Sequence, residues 1–372
     1  MSPIRVSSAF DSGNIEVVAI REAALDLRIR TDSGSEFLQW FYFRVSGGKG
    51  REVAVRLLNA GDAAYPKGWE NYRVCVSADR RDWRRVETSY ADGVLSFSVE
   101  PAFDTIYVAY FAPYSRERHL DLVAAMQGKP GVRHRVLGLS VEGRSMDCLD
   151  IGTGALSAWV IARQHPGESM AEWWMEGFLA ALTSDTPQAA ALREAARFHV
   201  VPNMNPDGSV KGNLRTNAVG ANLNREWNVS TPERSPEVHC VKAAMDMSPP
   251  DICLDVHGDE ALPYNFIAGC EGVPRFDANL KAQLDLFLAA YKRASPEFQT
   301  RYGYPVTPPG QANLALCTNY VAQTYGCLAM TLEMPFKDNA DRPDPVRGWS
   351  PERAAALGRD VLPAFAEWAS RR

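Results

Sequence analysis

At 372 residues the chain exceeds the comfortable size of one hydrophobic core, so two domains are expected. Its net charge of −5 holds no basic stripe of the kind that nucleic acid or an anionic membrane demands. No run approaches the roughly 18 apolar residues that span a bilayer. The seven cysteines are scattered without a CxxC pair, several of them in apolar runs, which fits buried thiols in a reducing cytoplasm and argues against a disulfide framework. Residues 1–20 are mixed polar and acidic and show no secretory signal, so the reading is a cytoplasmic protein.

In chain order, the first 110 or so residues are short β-type runs broken by turn clusters. The runs are Ile15–Ile20, Leu38–Val45, Glu52–Leu58, Tyr72–Val76 and Thr105–Phe111. Asp32-Ser-Gly34, Ser46-Gly-Gly48 and Asp79-Arg-Arg-Asp82 separate them, and the rhythm predicts an antiparallel β-sandwich. Trp40, Phe41 and Tyr42 read as its core. Ala112-Pro113 closes this domain, giving boundaries of 1–114 and 115–372.

After Ser115, a plausible N-cap, strands and helices alternate. Helices are predicted over 116–127, 168–182, 187–197, 236–247, 277–293 and from 351 onward. Strands are predicted over 134–141, 146–151, 158–163, 198–202, 251–256 and 327–333. This is an α/β pattern with a mixed, mostly parallel central sheet flanked by helices. Trp173, Trp174 and Phe178 fall at helical spacing and read as core. Segment 295–318, rich in proline and glycine, lacks periodicity and is a candidate lid or pocket wall.

Two motifs carry the chemistry. His165-Pro-Gly-Glu168 follows one apolar run and Asp255-Val-His257-Gly258 another. Two imidazoles and a carboxylate at strand ends have the ligand count and type of a catalytic zinc site with one open position. The spacing of three puts His165 and Glu168 on one side of a first helical turn, with Gly167 allowing an unusual backbone angle. Glu333, near the end of an apolar strand, would be costly unless paired or functional, and suits a general base. Arg215 and Arg225 are planar forks for the two anions of amide cleavage at a free C-terminus, the oxyanion and the terminal carboxylate, with Asn224 as a neutral donor.

These residues resemble the zinc metallocarboxypeptidases of peptidase family M14. His165-Pro-Gly-Glu-Ser169, Asn205-Pro-Asp-Gly208, Gly212-Asn-Leu-Arg215, Asn222-Leu-Asn-Arg-Glu-Trp227, Asp255-Val-His-Gly258 and Thr331-Leu-Glu-Met-Pro-Phe336 fall in that family's order. Phe10-Asp-Ser-Gly-Asn14, Gln39-Trp-Phe-Tyr-Phe43 and Phe111-Ala-Pro-Tyr-Ser115 are similar to the sandwich domain of its cytosolic carboxypeptidase branch. The resemblance implies one Zn2+ held by His165, Glu168 and His257, with Glu333 as general base and Arg215 at the oxyanion. Asn224 and Arg225 would hold the C-terminal carboxylate of a peptide or protein substrate. Asn222 stands where many members have an aspartate behind a zinc histidine, and residues 315–319 lack the basic residue of glutamate-trimming members. The substrate-capping tyrosine would be Tyr302, Tyr304 or Tyr320. An aspartoacylase-like amidohydrolase acting on N-acyl amino acids and a non-catalytic peptide-binding module are the competing readings.

Overall fold

The computed structural model describes residues 3–372. The N-terminal part carries ten strands: β1 (Arg5–Ser7), β2 (Glu16–Arg21), β3 (Ala24–Arg28), β4 (Tyr42–Ser46), β5 (Val53–Leu57), β6 (Val74–Ser77), β7 (Arg84–Val86), β8 (Thr88–Ala91), β9 (Val94–Val99) and β10 (Thr105–Ala109). They make two five-stranded sheets, ordered β1-β4-β10-β6-β7 and β2-β3-β5-β9-β8. The period of two explains the packing: Val53, Val55 and Leu57 are buried while Ala54 and Arg56 face outward. Trp40, Phe41 and Tyr42 are buried in the core, as expected, and Phe43, Trp69 and Tyr110 fill it beside them.

The antiparallel expectation holds with one exception, and one strand boundary needs correction. The sandwich is antiparallel except for β3 and β5, which pair in parallel. The run expected as a strand from Leu38 becomes one only at Tyr42. Before that, Gln39 does with its side chain what a strand does with its backbone. Its Oε1 accepts from Tyr65 N at 2.9 Å and its Nε2 donates to Tyr65 O at 3.1 Å.

The C-terminal part starts with α1 (Arg116–Gln127), where Ser115 Oγ accepts from Arg118 N as the expected cap. Then come β11 (Val132–Leu139), β12 (Ser145–Ile151), β13 (Leu156–Ala162), α2 (Met170–Leu182), α3 (Pro187–Ala195), β14 (Ala196–Val201), α4 (Pro206–Lys211) and α5 (Pro236–Met247). After these lie β15 (Ile252–Val256), β16 (Phe266–Ala268), α6 (Ala278–Ala294), α7 (Cys317–Tyr325), β17 (Leu328–Glu333), α8 (Pro351–Asp360) and α9 (Leu362–Ala369). The seven-stranded sheet runs β11-β12-β14-β13-β15-β17-β16. Its centre, β14-β13-β15-β17, is parallel, and the outer pairings are antiparallel.

Strand β13 shows why its run is apolar throughout. Ala158 and Val160 pack with Phe178, Phe287 and Phe365 on the face of α2, α6 and α9. Trp159 and Ile161 pack with Val238, Val241 and Val321 on the face of α5 and α7. Trp174 and Phe178 are fully buried, in keeping with a core role. Because β13, β15 and β17 are parallel neighbours, the residues after their carboxyl ends meet at one edge of the sheet.

The two parts are joined by buried polar contacts. Arg85 Nη2 donates to the carbonyls of Phe336 (2.6 Å), Lys337 (3.0 Å) and Trp349 (3.3 Å). Lys337 Nζ reaches back to Glu70 O at 2.7 Å. All seven cysteines are free, and no helix among the described residues is long and apolar enough to cross a membrane.

Candidate active site

Three side chains from two distant stretches meet beyond the ends of β13 and β15, His165 and Glu168 from the first and His257 from the second. His165 Nδ1 lies 2.6 Å from Glu168 Oε1, and His257 Nδ1 lies 2.8 Å from Glu168 Oε2. The two Nδ1 atoms are 3.2 Å apart. Their far sides are held: His165 Nε2 faces Asn222 Oδ1 at 3.1 Å, and His257 Nε2 faces Asp255 Oδ2 at 2.8 Å. Each imidazole can therefore keep its proton on Nε2 and turn a free Nδ1 lone pair to the centre. Asn222 does this for His165 despite carrying no charge.

Local backbone features make the convergence possible. Helix α2 starts at Met170, two residues later than expected, and His165–Glu168 forms a separate turn closed by Glu168 N to His165 O at 3.2 Å. Gly167 is required for close approach and not for a positive φ. Its N donates to Leu214 O at 2.8 Å, and a Cβ there would stand 2.9 Å from the same oxygen. Gly258 N donates to Glu168 Oε2 at 3.1 Å, and a Cβ on Gly258 would meet Met170 Sδ at 2.5 Å.

Beneath this turn, Arg163 adopts φ of 58°, an unusual angle for an arginine. Its side chain over-determines that angle. Nε donates to Pro166 O and Nη1 to Tyr114 O, both at 2.9 Å, and Nη1 also pairs with the buried Glu172 of α2. His119 Nδ1 and Asn203 Nδ2 complete the shell of Glu172 at 2.7 and 3.0 Å. Arg163→Met strands a buried carboxylate and is expected to lower unfolding stability by about 3–5 kcal/mol. Denaturant titration checks this; a loss under about 1 kcal/mol would mean that the pair does not hold the turn.

The donor set fits a zinc ion. The three ligand atoms lie within 4.8 Å of one another and all three residues are buried. Without a cation, the electrostatics divide unevenly between the imidazoles. Burial and the Arg215 charge push His165 down to about 3. Burial also works against a charged His257, but Asp255 and Glu168 outweigh it and raise its pKa. Burial opposes ionisation of Glu168 too, yet both histidines hold it below the usual carboxylate range.

Glu333 ends β17 over the same centre. Its Oε1 accepts from Tyr304 OH at 3.2 Å, while its buried Oε2 has no partner. Burial, reinforced by Glu168, Asp259 and Glu260, holds its carboxyl well above the ordinary range despite the nearby His257. Of the three candidate tyrosines, Tyr304 alone lines the cleft. Tyr302 stacks on Tyr264, and Tyr320 packs by Trp227.

The cleft encloses about 500 Å³, an ordinary size for a small-ligand site. Tyr304–Thr307 and Leu316 form part of its wall, as expected for segment 295–318. Arg215, Asn224 and Arg225 all line it. Asn224 Oδ1 is fixed by Cys317 N at 2.8 Å, and Arg225 Nη1 donates to Asn224 O at 2.6 Å. Burial and the neighbouring Arg215 charge lower the pKa of Arg225.

Arg215 is set from the other domain, which the sequence reading did not foresee. The guanidinium lies over the rings of Phe37 and Tyr65, at 5.9 and 5.1 Å. Asp32 accepts from the backbone N–H groups of Leu214 (2.6 Å), Arg215 (2.7 Å) and Thr216 (2.9 Å), and from Thr216 Oγ1 (3.1 Å). Asn14 Nδ2 donates to Gly212 O at 2.8 Å. Among the described residues, Tyr65 is the one sandwich residue lining the cleft, so this domain buttresses the site more than it covers it.

Comparison with known proteins agrees with this geometry. Residues 6–111 match the cytosolic carboxypeptidase N-terminal domain, and residues 119–340 match the zinc carboxypeptidase family. A metallo-carboxypeptidase structure from Burkholderia cenocepacia is 46% identical, with a TM-score of 0.97 over 99% of this chain and 100% of that one. Another, from Pseudomonas aeruginosa in complex with (2-guanidinoethylmercapto)succinic acid, is 46% identical, with a TM-score of 0.95 over 97% and 98% of the two chains. Human cytosolic carboxypeptidase 1 is 29% identical over 322 residues, 72% of this chain and 26% of that protein. The chain thus spans about a quarter of the length of that relative. Taken with the matched domain order, these findings place the chain in the zinc carboxypeptidase family, with a cytosolic carboxypeptidase N-terminal domain ahead of the enzyme fold.

Proposed function

We propose that the protein is a metallocarboxypeptidase that removes the C-terminal residue of peptides or proteins, with one zinc ion held by His165, Glu168 and His257. The observation that carries this reading is the convergence of two Nδ1 atoms and a carboxylate beside the unpartnered Oε2 of Glu333. Zinc, when bound, supplies a Lewis acid for the scissile carbonyl and brings the pKa of water down to about 7. Glu333 takes the proton of the attacking water and passes one to the leaving amine. Arg215 neutralises charge developing on the carbonyl oxygen. Arg225 and Asn224, whose Nδ2 now lies 3.5 Å from His257 Nε2, grip the terminal carboxylate, and Tyr304 closes over the substrate beside Glu333.

The Pseudomonas relative's ligand carries carboxylates on a succinic acid unit, and a group of that kind suits Arg225 and Asn224 here. We divide the chain into a sandwich of 1–114 and a catalytic domain of 115–372. We place it in the cytoplasm, acting on peptide or protein C-termini without nucleic acid or membrane. The free thiols and the absence of a basic stripe support that setting.

Chelation followed by zinc titration tests the reading. Release of C-terminal residues from short peptides, followed by mass, is expected to vanish on chelation and return at one zinc per chain. Peptide cleavage that is indifferent to metal would sink it. Turnover of N-acyl amino acids with no peptide cleavage would shift it to the amidohydrolase.

A further inference from the structure

The cleft has two unlike ends. One is built by Tyr65, Arg215 and Glu260, against the sandwich. The other is built by β16 and the turn after it, the first residues of α7, and Thr331 of β17. Across the β16–β17 pair, Phe266 sits opposite Glu333 and Ala268 opposite Thr331, so these four side chains share one face. Asn224 is bonded to Cys317 at the start of α7. A terminal carboxylate held by Asn224 and Arg225 therefore points the side chain of its own residue into this second end.

The charges there are asymmetric. Arg215 and Arg225 are the only lysine or arginine residues lining the cleft among the described residues, and the proposed function assigns each to an anion of the reaction. Most of the carboxylates are committed as well. Glu168 and Glu333 belong to the reacting centre. Asp259 accepts from Ala261 N (2.7 Å), Leu262 N (2.5 Å) and Tyr304 OH (2.6 Å). Glu260 has no hydrogen-bond partner among the described residues, but it is buried at the sandwich end under the charge of Arg215.

Glu271 is different. It lies half-buried on the wall of the second end, with no hydrogen-bond or ion-pair partner among the described residues. Its Oε2 folds over Gly269, 2.4 Å from where a Cβ would stand, so this glycine makes room for the carboxylate. Gly272 likewise lets Thr307 close in, at 2.6 Å from a would-be Cβ. The floor is neutral, with Thr318 Oγ1 and Thr331 Oγ1 bonded to each other at 2.6 Å.

On the carboxypeptidase reading, on which this inference rests, we propose that Glu271 selects a cationic C-terminal side chain, lysine or arginine, and repels an acidic one. An ammonium or guanidinium entering here gains a charge-assisted partner. A glutamate side chain meets a like charge with no cation to answer it.

The test uses the zinc-loaded full chain and one peptide sequence ended in Lys, Arg, Leu or Glu, with products identified by mass. The expected order of kcat/KM is Lys and Arg first, Leu next and Glu last. Glu271→Gln is expected to lower the Lys-to-Leu ratio by about 10–100-fold, and Glu271→Lys to favour the Glu peptide over the Lys peptide. The ratio separates specificity from folding, since a damaged fold lowers all four rates together. A wild-type preference for Leu or Glu overturns the assignment of Glu271, as does a ratio unmoved by Glu271→Gln, while the carboxypeptidase reading stands. Failure to release any of the four residues takes both down.

Discussion

Glu333→Gln is expected to cut kcat by about 10²–10⁴-fold and to leave one zinc per chain. The amide has the shape of the carboxylate, and its oxygen can still accept from Tyr304 OH, which now lies 3.2 Å from Oε1. What is lost is the basic Oε2, which is buried without a partner and is therefore free to receive a proton. Metal content is expected to hold because His165, Glu168 and His257 make their contacts with one another and with Asn222 and Asp255, not with Glu333. Peptide turnover and metal analysis on the same preparation check both halves. Wild-type turnover in this variant would remove Glu333 from the mechanism.

The second large effect is expected far from the zinc residues. Asp32→Ala strips the acceptor from three backbone N–H groups and the Thr216 hydroxyl, all in the loop that presents Arg215. Each buried donor left unpaired costs about 1–3 kcal/mol. Misplacing one oxyanion donor is expected to lower kcat by about 10²–10³-fold. Asp32→Asn is expected to fall between, because its amide nitrogen would face either Leu214 N–H or the three donors now on Oδ2. A positioning role predicts that kcat falls much more than KM changes, in protein whose melting curve is still cooperative. Wild-type kcat in folded Asp32→Ala would show that Arg215 needs no support from the sandwich.

The sequence was informative where chemistry and local periodicity coincide. His165, Glu168 and His257 follow apolar runs that became β13 and β15, and strand ends in the catalytic domain fell within about two residues of expectation. Strands β1, β3 and β7–β9 escaped notice. They are short or carry polar and turn-forming residues, so their pairing is decided by the sheet and not by propensity. Strand β16 has three residues and helix α7 begins on a cysteine with no side-chain cap, so neither announces itself.

Asp255 and Gln164 were within reach. A polar residue embedded in an apolar run must find a partner, and Asp255 Oδ2 holds both His257 and Gln164. Asp32 and Tyr65 were not. Asp32 lies some 180 residues from the loop it grips, a distance over which no spacing rule operates.

The bond made by Arg85 also has a meaning for how the molecule is born. Its carbonyl partners at Phe336 and Trp349 lie 251 and 264 positions downstream. At about 5–20 residues per second, the ribosome delivers them roughly 10–50 s after Arg85 itself has emerged. Until then the sandwich can use only one arm of that guanidinium, Nη1 on Arg73 O at 2.7 Å. Nη2 stays open on the surface that will receive its partner, and the nascent enzyme is incomplete until translation is nearly over.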